Sequence, residues 1–72
     1  MVYINVPIID KKTKIISDGS NILNIDTSAI DVEVFISGLY LTEGEDFIFS
    51  NGEITLTETP LIDENINIKY KI

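Results

Sequence analysis

The sequence predicts an all-β fold, a small antiparallel β-sandwich or barrel-like sandwich of about seven short strands. Two observations lead to this prediction. Apolar and polar residues alternate in several runs of about four to eight residues, which is the period of a half-buried strand. Dipeptides that contain glycine separate the middle runs and favour tight turns. These dipeptides are Ser37-Gly38, Glu43-Gly44 and Asn51-Gly52.

The N-terminal segment predicts the first strand. Residues 1–9 alternate, with Val2, Ile4, Val6 and Ile8 on one face. Pro7 lacks a backbone N–H, so this strand is expected at a sheet edge or to end near Pro7.

The next segment predicts two shorter strands with turns between them. Residues 10–12 are expected to form a turn and residues 13–16 a second strand. Residues 17–20 have the composition of a loop. Residues 21–25 predict another short strand, and residues 26–30 allow one helical turn capped by Asp or Thr.

Residues 31–57 predict an antiparallel meander of consecutive strands. Val32, Val34 and Ile36 should point to one face of the first of these strands. Asn51-Gly52 favours a two-residue type I′ turn, because both central positions need a positive φ.

The C-terminal segment predicts a connection and then the most regular strand. Residues 58–65 form the connection, in which Leu61 is expected to close one end of the core. The last strand should turn four side chains inward, Ile66, Ile68, Tyr70 and Ile72, and four outward, Asn65, Asn67, Lys69 and Lys71.

Length and composition indicate one domain, residues 1–72, that is short of interior. A chain of this length buries only about 60% of the surface of its unfolded state. Without cysteine or histidine it has neither a disulfide nor the usual ligands of structural zinc. Stability must come from an isoleucine-rich core, from self-association or from docking on a larger partner, and we favour the last two.

The charge argues against nucleic acid as a partner. Five lysines oppose twelve acidic residues, giving a net charge of −7 without arginine. The lysines are Lys11, Lys12, Lys14, Lys69 and Lys71, whereas residues 31–64 hold nine acids and no base. This separation fits a solvated surface that maintains solubility. It also fits a charge dipole in which a basic patch meets an acidic neighbour, either a repeated copy or a host surface.

The sequence predicts no membrane partner and no export signal. No apolar run approaches 18 residues, and the N-terminus lacks a basic segment followed by an apolar one. The absence of cysteine is compatible with either redox compartment.

The composition also argues against an enzyme. There is no imidazole base, no thiolate nucleophile and no guanidinium clamp. A glycosidase that pairs two carboxylates from Glu43, Glu45 and Asp46 needs a cleft that a small sandwich has little room to form. The same cluster offers oxygen ligands to calcium, but its spacing matches no EF-hand loop. We therefore expect a solvated turn there, and no metal or cofactor.

Four residues are the predicted partner-binding positions. Tyr3 and Tyr40 lie opposite the apolar neighbours of their strands, and tyrosine is enriched at interfaces. Ile9 and Ile48 also occupy positions opposite an apolar face. Several exposed isoleucines in so small a domain predict a patch that a partner covers.

Residues 34–47 read Val-Phe-Ile-Ser-Gly-Leu-Tyr-Leu-Thr-Glu-Gly-Glu-Asp-Phe, residues 51–56 Asn-Gly-Glu-Ile-Thr-Leu and residues 66–70 Ile-Asn-Ile-Lys-Tyr. This series resembles a β module of bacteriophage virion appendage proteins, such as tail fibres, head fibres and decoration proteins. The likeness covers residues 31–72. Ser37 stands where asparagine is usual before the glycine, and serine also suits a turn.

The resemblance implies a non-enzymatic structural protein located in the virion, docked on phage capsid or tail proteins as a homo-oligomer or in many copies. A capsid decoration or head-fibre protein ranks first, because the 72 residues include no long fibrous shaft. A tail-fibre or baseplate adaptor is the alternative within this class. A stand-alone module that binds glycans or a host surface is the alternative from another class.

Overall fold

A computed structural model describes residues 9–72, and within this range it contains seven strands and no helix. The all-β prediction is confirmed. The strands are β1 (Asp10–Ile16), β2 (Ile22–Asn24), β3 (Ile30–Ile36), β4 (Leu39–Leu41), β5 (Phe47–Ser50), β6 (Glu53–Leu56) and β7 (Asn65–Lys71).

The described strands form two antiparallel sheets. One sheet has four strands in the order β1-β7-β3-β4, and the other has three in the order β2-β6-β5. The C-terminal strand β7 lies inside the larger sheet and pairs with β1 on one side and β3 on the other. Among the strands of residues 9–72, β1 and β4 are therefore the edges of the larger sheet.

The strand registers decide which side chains share a face. β1 pairs with β7 without interruption, from Asp10 opposite Lys71 to Ile16 opposite Asn65. The pairing of β3 with β7 shifts between Ile30 and Glu33, which is a β-bulge.

The core lies between the two sheets, because the buried side chains come from both. The larger sheet contributes Val32, Val34, Ile66 and Ile68, and the smaller sheet contributes Leu23, Phe47, Ile54 and Leu56. Ala29 joins them from the turn before β3. The inward faces predicted for β3 and β7 are confirmed, with Ile36 and Tyr70 half-buried against this core.

Two turns confirm the reading of the glycine dipeptides. Asn51 and Gly52 have φ of 48° and 77°, and Ser37 and Gly38 have φ of 49° and 82°. Both pairs have the positive φ that a type I′ turn requires. The single meander predicted for residues 31–57 is wrong, because the chain passes to the other sheet after β4 and forms two separate hairpins, β3 with β4 and β5 with β6. Gly52 is also tightly packed, because a Cβ there would lie 2.7 Å from the carbonyl oxygen of Ile25.

The turn predicted for residues 10–12 is wrong, because β1 begins at Asp10. Lysine and aspartate have weak strand preferences, but β7 offers a partner along the whole of this segment. Cross-strand pairing therefore overrides local propensity. The strand predicted for residues 1–9 lies outside the described residues except at Ile9, whose backbone exchanges hydrogen bonds of 2.9 and 3.0 Å with Ile72.

Residues 26–29 form a turn closed by the Ala29 N–H, which donates to the Asp26 carbonyl oxygen at 3.0 Å, and the helical turn that the sequence allowed is not found there. The expectation for Leu61 is wrong. Leu61 does not close the core, because 72% of it is exposed, and the neighbouring Pro60 is buried instead. One-residue shifts of this kind reverse the direction of a side chain, and the sequence of an irregular connection does not specify them.

The packing around Gly52 predicts a difference between two glycine substitutions. Gly38→Ala should lower the free energy of unfolding by about 1–2 kcal/mol, because alanine tolerates a positive φ poorly and no atom lies within 4 Å to obstruct its Cβ. Gly52→Ala should cost at least about 1 kcal/mol more, because its Cβ meets backbone atoms. Urea denaturation followed by circular dichroism measures both, and equal losses would contradict the packing.

The two faces of the smaller sheet predict a second difference. Ile54 is 0% exposed and Ile48 is 65% exposed, and both lie in strands. Ile54→Val should lower the free energy of unfolding by about 1 kcal/mol through loss of a buried methylene. Ile48→Val, the matched control, should change it by less than about 0.5 kcal/mol. A reversed order in urea denaturation would contradict the assignment of the faces.

Candidate functional site

A groove of about 470 Å³ opens beside edge strand β4, between the two sheets and the connection that follows β6. Its floor is apolar and is formed by Ile36, Leu39, Leu41, Leu56 and Pro60. Its rim carries four carboxylates, those of Glu45, Asp46, Glu58 and Glu64. We refer to this feature as the acidic groove.

One wall of the acidic groove is fixed by the turn of residues 42–46, which precedes β5. The backbone N–H of Asp46 donates to the Thr42 carbonyl oxygen at 2.8 Å, and the Thr42 N–H donates back to Asp46 Oδ2 at 2.8 Å. Thr57 joins this turn to β6, because its N–H donates to the Asp46 carbonyl oxygen at 2.9 Å and its hydroxyl to the Glu45 carbonyl oxygen at 3.0 Å.

The opposite wall is fixed by Glu64. Its Oε2 accepts from the Ser37 hydroxyl at 3.0 Å, and its Oε1 accepts from the Leu61 N–H at 2.8 Å. The Ser37 N–H also donates to the Asn65 carbonyl oxygen at 2.8 Å. Glu64 therefore holds the turn between β3 and β4 against the connection before β7.

The four rim carboxylates thus divide into two pairs. Asp46 and Glu64 accept hydrogen bonds that fix the walls. The side-chain hydrogen bonds found among residues 9–72 do not use the carboxylates of Glu45 or Glu58, which are both exposed. These two carboxylates can attract a cation, and the apolar floor below them can accept an apolar group.

A basic surface lies at the other edge of the larger sheet. The register of β1 with β7 places Lys12 opposite Lys69, Lys14 opposite Asn67 and Lys71 opposite Asp10. These residues are on the face of the sheet that points away from the core, because Ile66 and Ile68 point inward. We call Lys12, Lys14, Lys69 and Lys71 the lysine strip. A shallow concavity of about 220 Å³ lies at this strip. Its lining includes three lysines of the strip and three carboxylates, those of Asp10, Asp31 and Glu33.

An aromatic pair continues this outer face toward β4. Phe35 lies opposite Tyr40, with ring centroids 5.4 Å apart and planes inclined at 58°. The ammonium of Lys69 lies 5.3 Å from the centroid of Phe35, which is within the range of a cation–π contact. This contact connects the lysine strip to the aromatic pair.

The predicted partner-binding residues do not converge on one site. Tyr3 lies outside the described residues. Ile9 is 48% exposed at the end of the β1–β7 pair, and Tyr40 is 55% exposed on the outer face of the larger sheet. Ile48 is exposed on the outer face of the smaller sheet, on the other side of the core. Ile9, Tyr40 and Ile48 are thus all exposed, but they occupy separate surfaces.

Sequence reasoning missed two features of the surface. Ile22 is exposed on the outer face of the smaller sheet, where Thr55 lies between it and Ile48. Alternation with the buried Leu23 could have indicated its direction, but only the register places it in a row with Ile48. The acidic groove has no signal in the sequence, because its lining comes from segments separated along the chain.

The carboxylates of residues 43–46 do not form a metal-binding group in the structure. Among residues 9–72, no three acidic side chains come together in a way that could hold a metal ion. Asp46 is bonded to its own turn instead. The same part of the chain includes no helix long and apolar enough to cross a membrane.

Comparisons of the chain with models of known protein families, with curated proteins and with solved structures found no match. The fold and the surface of residues 9–72 define a small all-β domain. It has an acidic groove at one edge of the larger sheet and a lysine strip at the other. The resemblance to phage appendage modules stays a prediction.

The wall of the acidic groove predicts different effects for two neighbouring carboxylates. Asp46→Ala should lower the free energy of unfolding by about 1 kcal/mol, because the Thr42 N–H loses its charged acceptor. Glu45→Ala, the matched control, removes a carboxylate that fixes no backbone group and should have little effect. The midpoints of urea denaturation compare them, and equal destabilisation would contradict the assigned role of Asp46.

Proposed function

We propose that this chain is a non-enzymatic structural protein of a bacteriophage virion that docks in many copies on capsid or tail proteins. A capsid decoration or head-fibre protein is the form we favour. The all-β fold supports the proposal, because the resemblance implies such a module. The assignment to a virion rests on the resemblance of residues 31–72. The proposal that the chain docks on a partner rests on its exposed apolar side chains.

The observation that carries docking is the amount of exposed apolar surface. Residues 9–72 expose nine large apolar side chains, as many as the nine apolar residues in their core. The exposed residues are Ile9, Ile16, Ile22, Ile30, Leu39, Tyr40, Ile48, Leu61 and Ile62. Single exposed residues are ordinary, but this proportion is typical of a surface that a partner covers.

A structural role also agrees with how the carboxylates are used. Asp46 and Glu64, two of the four on the groove rim, hold backbone or hydroxyl groups of the walls. We assign the acidic groove to binding, because Glu45 and Glu58 are left at its rim as charges that can attract a cationic partner.

The glycan-binding alternative draws its support from the outer face of the larger sheet. Tyr40 is more than half exposed there, and aromatic rings are common platforms for sugars. However, Lys69 already covers one face of Phe35, and the two rings are tilted by 58° rather than coplanar. This arrangement favours the docking proposal over a sugar platform.

Particle composition tests the proposal directly. Virions released from cells that encode the chain are banded on a density gradient, and the chain is quantified against the major capsid protein by mass spectrometry. We expect the chain to band with the particles at many copies per particle, because a decoration protein follows the particle symmetry. A chain that stays in the soluble fraction would contradict the proposal.

Sedimentation of the purified chain separates the alternative class. A monomer whose tyrosine fluorescence changes on addition of sugars would favour the glycan-binding module. A trimer, or a monomer that ignores sugars and bands with particles, would favour decoration.

A further inference from the structure

The structure contains two complementary surfaces at opposite edges of one sheet, and we propose that they bind each other between copies. In this arrangement the edge strand β1 of one copy lies along the acidic groove of the next copy. The inference rests on the proposed function, because it describes how many copies of this chain would contact one another.

The two surfaces are chemically complementary. Along β1, Lys12, Lys14 and Ile16 lie on the same side of the strand, and all three are exposed. The acidic groove offers the unengaged carboxylates of Glu45 and Glu58 at its rim and apolar side chains at its floor. In the proposed contact, the ammonium groups of Lys12 and Lys14 face the carboxylates at the rim, and Ile16 faces the apolar floor.

The strand order keeps the two surfaces apart. In the order β1-β7-β3-β4, the lysine strip occupies the β1 side of the sheet and the acidic groove borders β4. One copy can therefore use both surfaces at once without overlap between its two neighbours. Contacts between different surfaces are heterologous, and they produce a closed ring or a filament, depending on the rotation between copies.

A second copy of this chain is the occupant that the charges favour. All the lysines of the chain are in β1 or β7, and the chain has no arginine. The net charge of −7 makes unspecific contact between copies unfavourable. The concavity at the lysine strip also includes Asp10, Asp31 and Glu33, so attraction between copies is favoured where Lys12 and Lys14 themselves face Glu45 and Glu58.

A different role for the lysines must be separated from this one. Charged residues on an edge strand, lysine above all, also prevent unwanted pairing with other chains. If that were the only role of Lys12 and Lys14, replacing them with glutamate would leave the association of the chain unchanged. The experiment therefore depends on restoring association, and not only on losing it.

The test uses two charge-reversed variants of the full chain in analytical ultracentrifugation at low salt. The variant Lys12→Glu/Lys14→Glu has acidic residues on both surfaces, and the variant Glu45→Lys/Glu58→Lys has basic residues on both. We expect the unchanged chain to self-associate, with association weakened at least about tenfold when the salt concentration is raised from about 0.05 M to about 0.5 M. Each variant alone should be monomeric, and an equimolar mixture of the two should associate again.

Glu43→Lys/Glu53→Lys is the control for Glu45→Lys/Glu58→Lys, because all four are exposed glutamates and the change in charge is the same. Neither Glu43 nor Glu53 lines the acidic groove, so the control should leave association unchanged. Circular dichroism confirms that each variant is folded. If a variant is unfolded, the salt dependence of the unchanged chain still decides whether charge drives the association.

The proposal is overturned if the unchanged chain is monomeric at low salt, if its association ignores salt, or if the mixture of variants does not associate. Its failure is distinct from failure of the proposed function. A chain that bands with particles but does not bind itself would dock on another virion protein, and the proposed function would stand.

Discussion

The pairing of β7 on both of its sides is the constraint on which the rest of the structure depends. β7 is the last strand of the chain, yet it lies inside the four-stranded sheet between β1 and β3. Its inward side chains Ile66 and Ile68 are completely buried, and they contribute to the core that the two sheets share. Its outward residues Lys69 and Lys71 join the lysines of β1. One strand therefore organises both the interior of the domain and its basic surface.

The small size of the domain leaves many of its large apolar side chains on the surface. Two short sheets enclose only a few large side chains, such as Phe47 and Ile54, and many isoleucines stay outside. In a larger protein such residues would be covered by further layers of the same chain. In the function that we propose the covering comes from another molecule, and the exposed row of Ile22 and Ile48 offers a surface separate from the acidic groove.

The acidic groove shows how one set of residues can serve stability and recognition together. Asp46 and Glu64 fix the walls by accepting hydrogen bonds, whereas Glu45 and Glu58 stay available at the rim. A rigid groove loses little conformational entropy when it binds, so its contacts contribute more of their energy to affinity. Exposed charge pairs are individually weak and sensitive to salt, and they therefore contribute orientation more than strength. Affinity between copies would therefore come from the apolar floor and the charge pairs together.

The sequence by itself determined the all-β class, the inward faces of β3 and β7 and the turn at Asn51-Gly52. Each of these follows from local chemistry, namely the two-residue period of a strand and the positive φ that few residues accept. Only the tertiary structure decided that β1 begins at Asp10, that Leu61 is exposed and that the lysines of β1 and β7 adjoin. These features depend on which strands pair and in which register, and pairing joins residues that are far apart in the chain. The acidic groove belongs to the second group for the same physical reason, since no local pattern brings β4, β6 and the loop before β7 together.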